Sequence, residues 1–328
     1  VGGTIGGCLA LGGHEVVLVA RGAHLAALRE GGLRLGTPRG TDVVRVPAIG
    51  GPDEIGLTPS DVLVVATKSQ DSAAVLSEWA GQPVKGGGIA GQDLPVICAQ
   101  NGVANERAAL RRFRRVYGMC VWLPATHVAP GEVAAHGQPL AGLLWVGRYP
   151  GGTDETVERI AADLAGSRFL APVTADVMRW KYRKLLGNLG NAIEALCGGR
   201  GPGRGGVPTG AARELTAGVT AEGTAVLNAA GIGYASSAEI QAVRGDHVDF
   251  GPVTGIAYGG GSSWQSLSRG TGSIEADFLN GEIVLLGREH GIPTPVNEVL
   301  QRLANRAAAE HLPPGSLTPE EILAEARA

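Results

Sequence analysis

The chain is poor in cysteine, methionine and aromatic residues, and it carries no strong charge of either sign. Cys8, Cys98, Cys120 and Cys197 are scattered with no Cys-x-x-Cys pair, so neither a zinc site nor a disulfide framework is suggested. With 28 Lys and Arg against 31 Asp and Glu, the net charge is −3, which is no nucleic-acid footprint. The local cluster Arg111-Arg112 and Arg114-Arg115 reads as a solvated helix end. No apolar run is long enough to span a membrane, and the cytoplasm is the expected location. What the chain has in excess is glycine, 53 of 328 residues, which suits tight turns and close backbone contacts. Its length fits one large or two medium domains with a full core.

No strand precedes the first helix. The run Val1-Gly2-Gly3-Thr4-Ile5-Gly6-Gly7-Cys8-Leu9-Ala10 reads as a helix ending near Gly12-Gly13, and Glu15 to Ala20 reads as a buried strand ending at Arg21. A helix followed by an apolar strand is the second half of a βαβ unit. The expectation is that the sequence begins inside a glycine-rich fingerprint, with Gly2 as its last glycine and roughly ten residues, one strand plus its glycine turn, upstream.

The alternation continues down the chain. Gly22 to Arg29 predicts a helix stopped at Gly31-Gly32, and Leu33–Leu35 with Val43–Val46 predicts a hairpin. Ser60 to Thr67 predicts a strand emerging at Lys68, followed by a helix to about Trp79. Pro95 to Ala99 predicts a short buried strand ending at Gln100-Asn101-Gly102. Between Tyr117 and Arg148, Gly118–Leu123, Glu132–Ala135 and Leu143–Val146 read as extensions of the same sheet. A helix from Thr153 to Ala165 and a strand near Phe169 close this part. Strands alternating with helices predict a doubly wound parallel sheet, whose ligands sit beyond the carboxyl ends of the strands. Arg21, Lys68 and Asn101 each stand at such an end.

From residue 173 onward the pattern is helical, giving an α/β domain over 1–172 and an all-helical domain over 173–328. The stretch Gly198–Gly206 reads as a flexible linker or lid. Ser273 is the expected N-cap of a helix running to Gly291, and Thr294-Pro295 and Thr318-Pro319 start two more. The most informative helix is Arg179 to Ile193. Leu185, Leu189, Ala192 and Leu196 recur at helical spacing, while Lys181, Lys184, Asn188 and Asn191 share the opposite stripe. Asn and Gly are poor helix residues, so something besides helix stability selects them. A lysine one turn from an asparagine can give a proton and a hydrogen bond to one small molecule. An ordinary amphipathic helix with its polar side in water fits the same pattern.

Taken together, Gly13-His14-Glu15-Val16, Arg21-Gly22, Lys68-Ser69-Gln70-Asp71, Gln100-Asn101-Gly102-Val103, Lys184-Leu185-Leu186-Gly187-Asn188, Ser262-Ser263, Ile274 through Gly281 and His290 through Asn297 resemble the ketopantoate reductases over almost the whole chain. The resemblance implies a Rossmann-type domain, a helical domain, and NADPH-dependent reduction of a 2-keto acid in the cleft between them. Within it, Lys184 matches the proton donor and Glu275 a glutamate of the cleft with a catalytic and cofactor-facing place. Asn188, and Ser263 or its neighbour Ser262, match substrate-binding positions, and Asn191, one position before the family's usual Asn, is a candidate beside them. Gly2, Arg21, Lys68 and Asn101 match cofactor-binding positions. Three departures sit at the substrate end: Ala192 where many members have Asn, Gln265-Ser266 where Gln-Asp is usual, and Trp264 in place of Met.

Chemistry agrees with these assignments. Hydride addition to a ketone builds negative charge on oxygen, which a nearby ammonium stabilises and then protonates. Arg21 stands where NAD-binding proteins place an acidic residue for the ribose hydroxyls, and a guanidinium there suits a 2′-phosphate, so NADP is the expected cofactor. A related hydroxyacid dehydrogenase acting on another 2-keto acid, and a non-catalytic NADP sensor, are the alternatives. The expected partner is a small 2-keto acid, without metal, nucleic acid or membrane, and a homodimer is left open.

Overall fold

A computed structural model describes residues 1–198, 210–256 and 258–328. The chain divides into two compact units. One comprises Val1–Gln100, Asn105–Trp180 and Ser236–Tyr258; the other comprises Asn101–Ala104, Lys181–Ala235 and Gly259–Ala328. The sequence reading put its boundary at residue 172, whereas this division runs between Trp180 and Lys181 and returns Ser236–Tyr258 to the first unit.

The first half of the chain runs α1 (Gly2–Leu11), β1 (Leu18–Val19), α2 (Gly22–Gly31), β2 (Leu33–Thr37), β3 (Gly40–Val44), β4 (Ala48–Ile49) and β5 (Leu63–Val65). It continues with α3 (Ser72–Ala80), α4 (Ala90–Asp93), β6 (Pro95–Cys98), α5 (Asn105–Leu110), β7 (Arg115–Trp122), β8 (Ala125–Ala129) and β9 (Glu132–Ala135). Then come β10 (Gly137–Pro139), β11 (Gly142–Arg148), α6 (Glu155–Gly166) and β12 (Phe169–Leu170). The remainder is α7 (Val177–Asn188), α8 (Asn191–Cys197), α9 (Gly210–Ala229), α10 (Ser237–Arg244) and β13 (Val248–Phe250), followed by α11 (Ser262–Ser268), α12 (Asn280–His290), α13 (Pro295–Ala309) and α14 (Pro319–Ala326). An α/β part followed by a mainly helical part is the expected class.

The central sheet has the order β12-β11-β7-β6-β5. β5, β6 and β7 are parallel, with Leu63 beside Val96 and Val96 beside Val116, while β11 is antiparallel to β7. Every residue of β6 is buried, as a strand covered on both faces must be. Its alternate side chains reach two cores. Ile97 packs with Ile5 of α1 and Leu164 of α6, whereas Val96 and Cys98 pack with Leu76 of α3 and Ala109 of α5.

Several expectations need correction. Glu132–Ala135 does not extend the central sheet; β9 lies between β2 and β8 in a separate four-stranded sheet, β3-β2-β9-β8. Pairing register depends on distant segments, which alternation alone does not reveal. The strand expected over Glu15–Ala20 is reduced to Leu18–Val19, paired with β4, and Val17 and Val19 are exposed. Val62 and Val64 are exposed beside and within β5, which pairs with β6 on one edge only. Residues after 172 are not wholly helical, because Val248–Phe250 pairs antiparallel with Gly137–Pro139. Ser273 does not cap a helix: a 3-10 turn, Glu275–Phe278, begins after Ile274, and α12 begins only after Leu279. The stretch predicted as a linker, Gly198–Gly206, lies outside the described residues from 199 onward. Thr318 does cap α14, accepting from the Glu321 N–H in a capping box.

In the second unit, α8 packs on α11 and α13, and α12 packs on α9 and α13. The expected helix over 179–193 is two helices. α7 stops at Asn188 and α8 starts at Asn191, with Leu189-Gly190 between them. Gly190 weakens helix continuity, and the break is bridged from outside: Asn280 donates its side-chain N–H to the Leu189 carbonyl at 3.1 Å.

Candidate active site

The stripe of polar residues on α7 and α8 survives the break. Lys184, Asn188 and Asn191 are half-buried, while Leu185, Leu189, Ala192 and Leu196 are buried. Lys181 departs from the sequence reading. It is 3% exposed, so it belongs to the packed interior and not to the open stripe. Lys184 meets a partner from elsewhere in the second unit. Its Nζ donates to the Asn101 side-chain oxygen at 2.7 Å.

Asn101 is held by the turn that follows β6. Gly102 has φ of +75°, in the left-handed region that glycine adopts at no steric cost. A side chain there would also meet the Phe278 carbonyl oxygen at 2.9 Å, so the turn presses directly against the 3-10 segment that carries Glu275. Glu275 is 4% exposed. Asn101, Lys184 and the Glu275 segment are thus brought together in the second unit.

The predicted serines open α11. Ser263 is buried, and the Ser262 hydroxyl is shielded from solvent with no hydrogen-bond partner among the described residues. A buried hydroxyl without a partner is costly, and such atoms recur where a ligand supplies the missing bond. Asn191 approaches the same place, since a Cβ on Gly261 would lie 3.6 Å from its side-chain oxygen.

Support comes from residues the sequence reading did not single out. Asn280 is fully buried and joins the Leu189 carbonyl to the Asn297 side-chain oxygen, 3.0 Å away. Asn297 in turn donates to Glu222 of α9 at 2.7 Å, and Glu222 accepts the backbone N–H groups of Val296 and Asn297 at the start of α13. A carboxylate there satisfies helix N–H groups that have no partner within the helix. Asn residues at buried positions of a helical pattern were the available signal, because apolar packing would not choose them.

In the first unit the remaining candidates occupy the ends of secondary-structure elements. Gly2 opens α1, and a Cβ there would lie 3.0 Å from the Ala66 Cβ, just beyond β5. Lys68 follows two residues later and begins a 3-10 turn. That turn is fixed by a buried network: Asn105 donates to Ser69 at 3.1 Å, and Gln100 donates to the Thr67 carbonyl at 2.9 Å and to Ser72 at 2.8 Å. Arg21 caps the start of α2 with extended backbone, and its side chain is exposed. The first unit therefore sets a helix N-terminus and two strand-end cations on one α/β scaffold.

Comparisons with known proteins give these arrangements a family. Residues 1–151 match the model described as ketopantoate reductase PanE/ApbA, and residues 176–308 match its C-terminal counterpart. A 2-dehydropantoate 2-reductase of Halobacterium salinarum is 30% identical over 318 residues, covering 94% of this chain and 95% of the relative. The crystal structure of a PanE/ApbA family ketopantoate reductase from Ralstonia eutropha superposes with a TM-score of 0.73 at 28% identity, covering 94% and 95% of the two chains. A D-mandelate dehydrogenase solved with NADH and anilino(oxo)acetate shares the fold, with a TM-score of 0.74 at 21% identity and coverage of 94% and 95%. With both of its parts matched by the family's models, the chain belongs to the ketopantoate reductase family, oxidoreductases that act on a CH–OH group.

Proposed function

We propose that the protein reduces a 2-keto acid to the corresponding 2-hydroxy acid with NADPH, the simplest substrate being 2-dehydropantoate. The observation that carries this reading is the 2.7 Å bond from Lys184 Nζ to Asn101, with Asn188 one helical turn further on. Lys184 donates the proton to the carbonyl oxygen as that oxygen gains charge. Asn101 orients the ammonium, and Asn188 contributes a second hydrogen bond to the same oxygen. Glu275, Asn191, Ser262 and Ser263 complete the candidate set, the serines and Asn191 toward the substrate carboxylate. The Ser262 hydroxyl, without a hydrogen-bond partner among the described residues, supports that placement.

The first unit fits a dinucleotide. The Thr4 and Thr67 hydroxyls are buried and without hydrogen-bond partners among the described residues, at the start of α1 and just past β5. Gly2 at the first position of α1 leaves space that a side chain would take up against Ala66. We assign Gly2 and the N-terminus of α1 to the pyrophosphate, and Lys68 and Arg21 to the phosphates. The bound nicotinamide supplies the hydride. Arg21, exposed at the start of α2, would hold a 2′-phosphate, which makes NADPH the preferred form.

A second reading keeps the chemistry and changes the 2-keto acid. It is favoured by the substrate end, where the family's usual asparagine is replaced by buried Ala192 and Trp264 lies against the backbone of Gly259 and Gly260. Steady-state NADPH oxidation with a panel of 2-keto acids decides between the two. The first reading requires the highest kcat/KM for 2-dehydropantoate. A higher value for an aryl or larger alkyl 2-keto acid would establish the second, and no turnover with any member would overturn both.

A further inference from the structure

The glycine run Gly259-Gly260-Gly261 leads into the two serines of α11, and it is gripped from two sides. On one side the Trp264 ring covers the backbone: a Cβ on Gly260 would stand 2.7 Å from Trp264 Cγ. Gln265 adds a bond from its side-chain nitrogen to the Gly260 carbonyl at 3.1 Å. On the other side is Glu194 of α8, whose Oε2 accepts the Gly261 N–H at 3.1 Å. A Cβ on Gly261 would stand only 2.7 Å from the same oxygen, so a side chain there would displace the Glu194 carboxylate.

Glu194 lies three residues after Asn191, on the same face of α8. Gly261 is the N-cap residue of α11 and has no side chain with which to fix itself. The Glu194 bond therefore ties α8, which carries Asn191, to the residue just before Ser262. Among the described residues the Ser262 hydroxyl makes no bond of its own.

We propose that Glu194 is a positioning residue for substrate binding: it holds the Gly259–Gly261 run so that Ser262 and Ser263 stand at the substrate carboxylate beside Asn191. The inference rests on the serines having that role. Glu194 does not touch the reacting carbon or oxygen, so its loss acts on substrate binding and leaves the proton donor in place.

The test uses the full-length enzyme with NADPH and its best 2-keto acid substrate. Glu194→Ala should raise KM for the keto acid about tenfold, with kcat and the KM for NADPH changed by less than about twofold, as expected for loss of a charged hydrogen bond used in uniform binding. Glu194→Gln keeps an acceptor oxygen at the same reach and should restore most of the affinity. Glu194→Asp, one methylene shorter, should not. Calorimetric binding of oxamate, a non-reducible 2-keto acid analogue, to the NADPH-loaded enzyme should follow the same order. If the alanine variant does not fold, the Gln and Asp pair carries the same contrast. Equal behaviour of Gln and Asp, or a fall in kcat without a change in KM, would overturn the proposal. Ser262→Ala and Ser263→Ala separate it from the reading beneath it. If the serine variants raise KM and the Glu194 variants do not, the role of Glu194 fails while the serines keep theirs. If neither serine variant changes KM, the carboxylate assignment itself fails, and the proposal with it.

Discussion

The two units present their candidate residues in different ways. In the first, Gly2, Arg21 and Lys68 sit at helix starts and strand ends, where the backbone sets their positions. In the second, Lys184, Asn188, Asn191 and Glu275 project from helical segments. A side-chain network running from the Leu189 carbonyl through Asn280 and Asn297 to Glu222 steadies the helix break there. The contrast suits a division of labour. A large anionic cofactor can be held by backbone N–H groups and flexible cations, whereas proton transfer needs one ammonium held to within a fraction of an ångström.

The comparison breaks most sharply at Lys184. Lys184→Ala should lower kcat by about 10²–10⁴-fold, the range expected for removing a general acid. Near-normal turnover in a stopped-flow or steady-state assay would reduce Lys184 to a helix-face lysine. Since Lys181 is buried, it is not an obvious substitute.

The next largest effect belongs to the first unit. Arg21→Ala should weaken NADPH by about 1.5–3 kcal/mol, the range for a charged hydrogen-bonded contact, and leave NADH nearly unaffected. Equal losses for the two cofactors in a fluorescence titration would make Arg21 structural and remove the basis for an NADP preference.

Asn280→Ala sharpens the role of the network. It takes the donor away from the Leu189 carbonyl and from Asn297, and leaving buried polar groups unpaired typically costs about 1–3 kcal/mol. The urea midpoint should fall and kcat should fall with it, because the break between α7 and α8 is no longer bridged. An unchanged midpoint would show that the break holds itself.

The smallest effect is a pH dependence confined to the first unit. His24 Nδ1 accepts the Gly131 N–H at 2.9 Å, which requires a neutral ring, and burial holds its pKa below the ordinary 6.5. The sign follows from that lowering: the contribution is present above pH 6.5 and is lost as the pH falls toward the folded-state value. His24→Asn keeps an acceptor and cannot titrate. Wild type should lose more stability than this variant between pH 7.5 and 5.5 in urea titrations, and identical losses would exclude His24.

Much of this was legible in the chain because periodicity is local. The spacing of Lys184, Asn188 and Asn191 placed them on one stripe, and all three remain half-buried there. The fully apolar Pro95–Cys98 read as a buried strand and is one. What was not legible depends on contacts far away in sequence. Glu132–Ala135 alternates like its neighbours, yet its pairing with β2, about a hundred residues earlier, sends it to another sheet. Lys181 shares the stripe of Lys184 by spacing, and only packing shows that it is buried. Nothing local in the sequence marks Glu194, whose bond to Gly261 spans 67 residues.

The division of labour is tested most directly by measuring NADPH affinity and turnover on Lys184→Ala and Arg21→Ala side by side. The account predicts a crossed result: Lys184→Ala binds NADPH with nearly wild-type affinity and scarcely turns over, while Arg21→Ala binds NADPH weakly but approaches wild-type turnover at saturation. If each variant lost cofactor affinity and saturated turnover together, the two sets of residues would not be separable, and the account would be wrong.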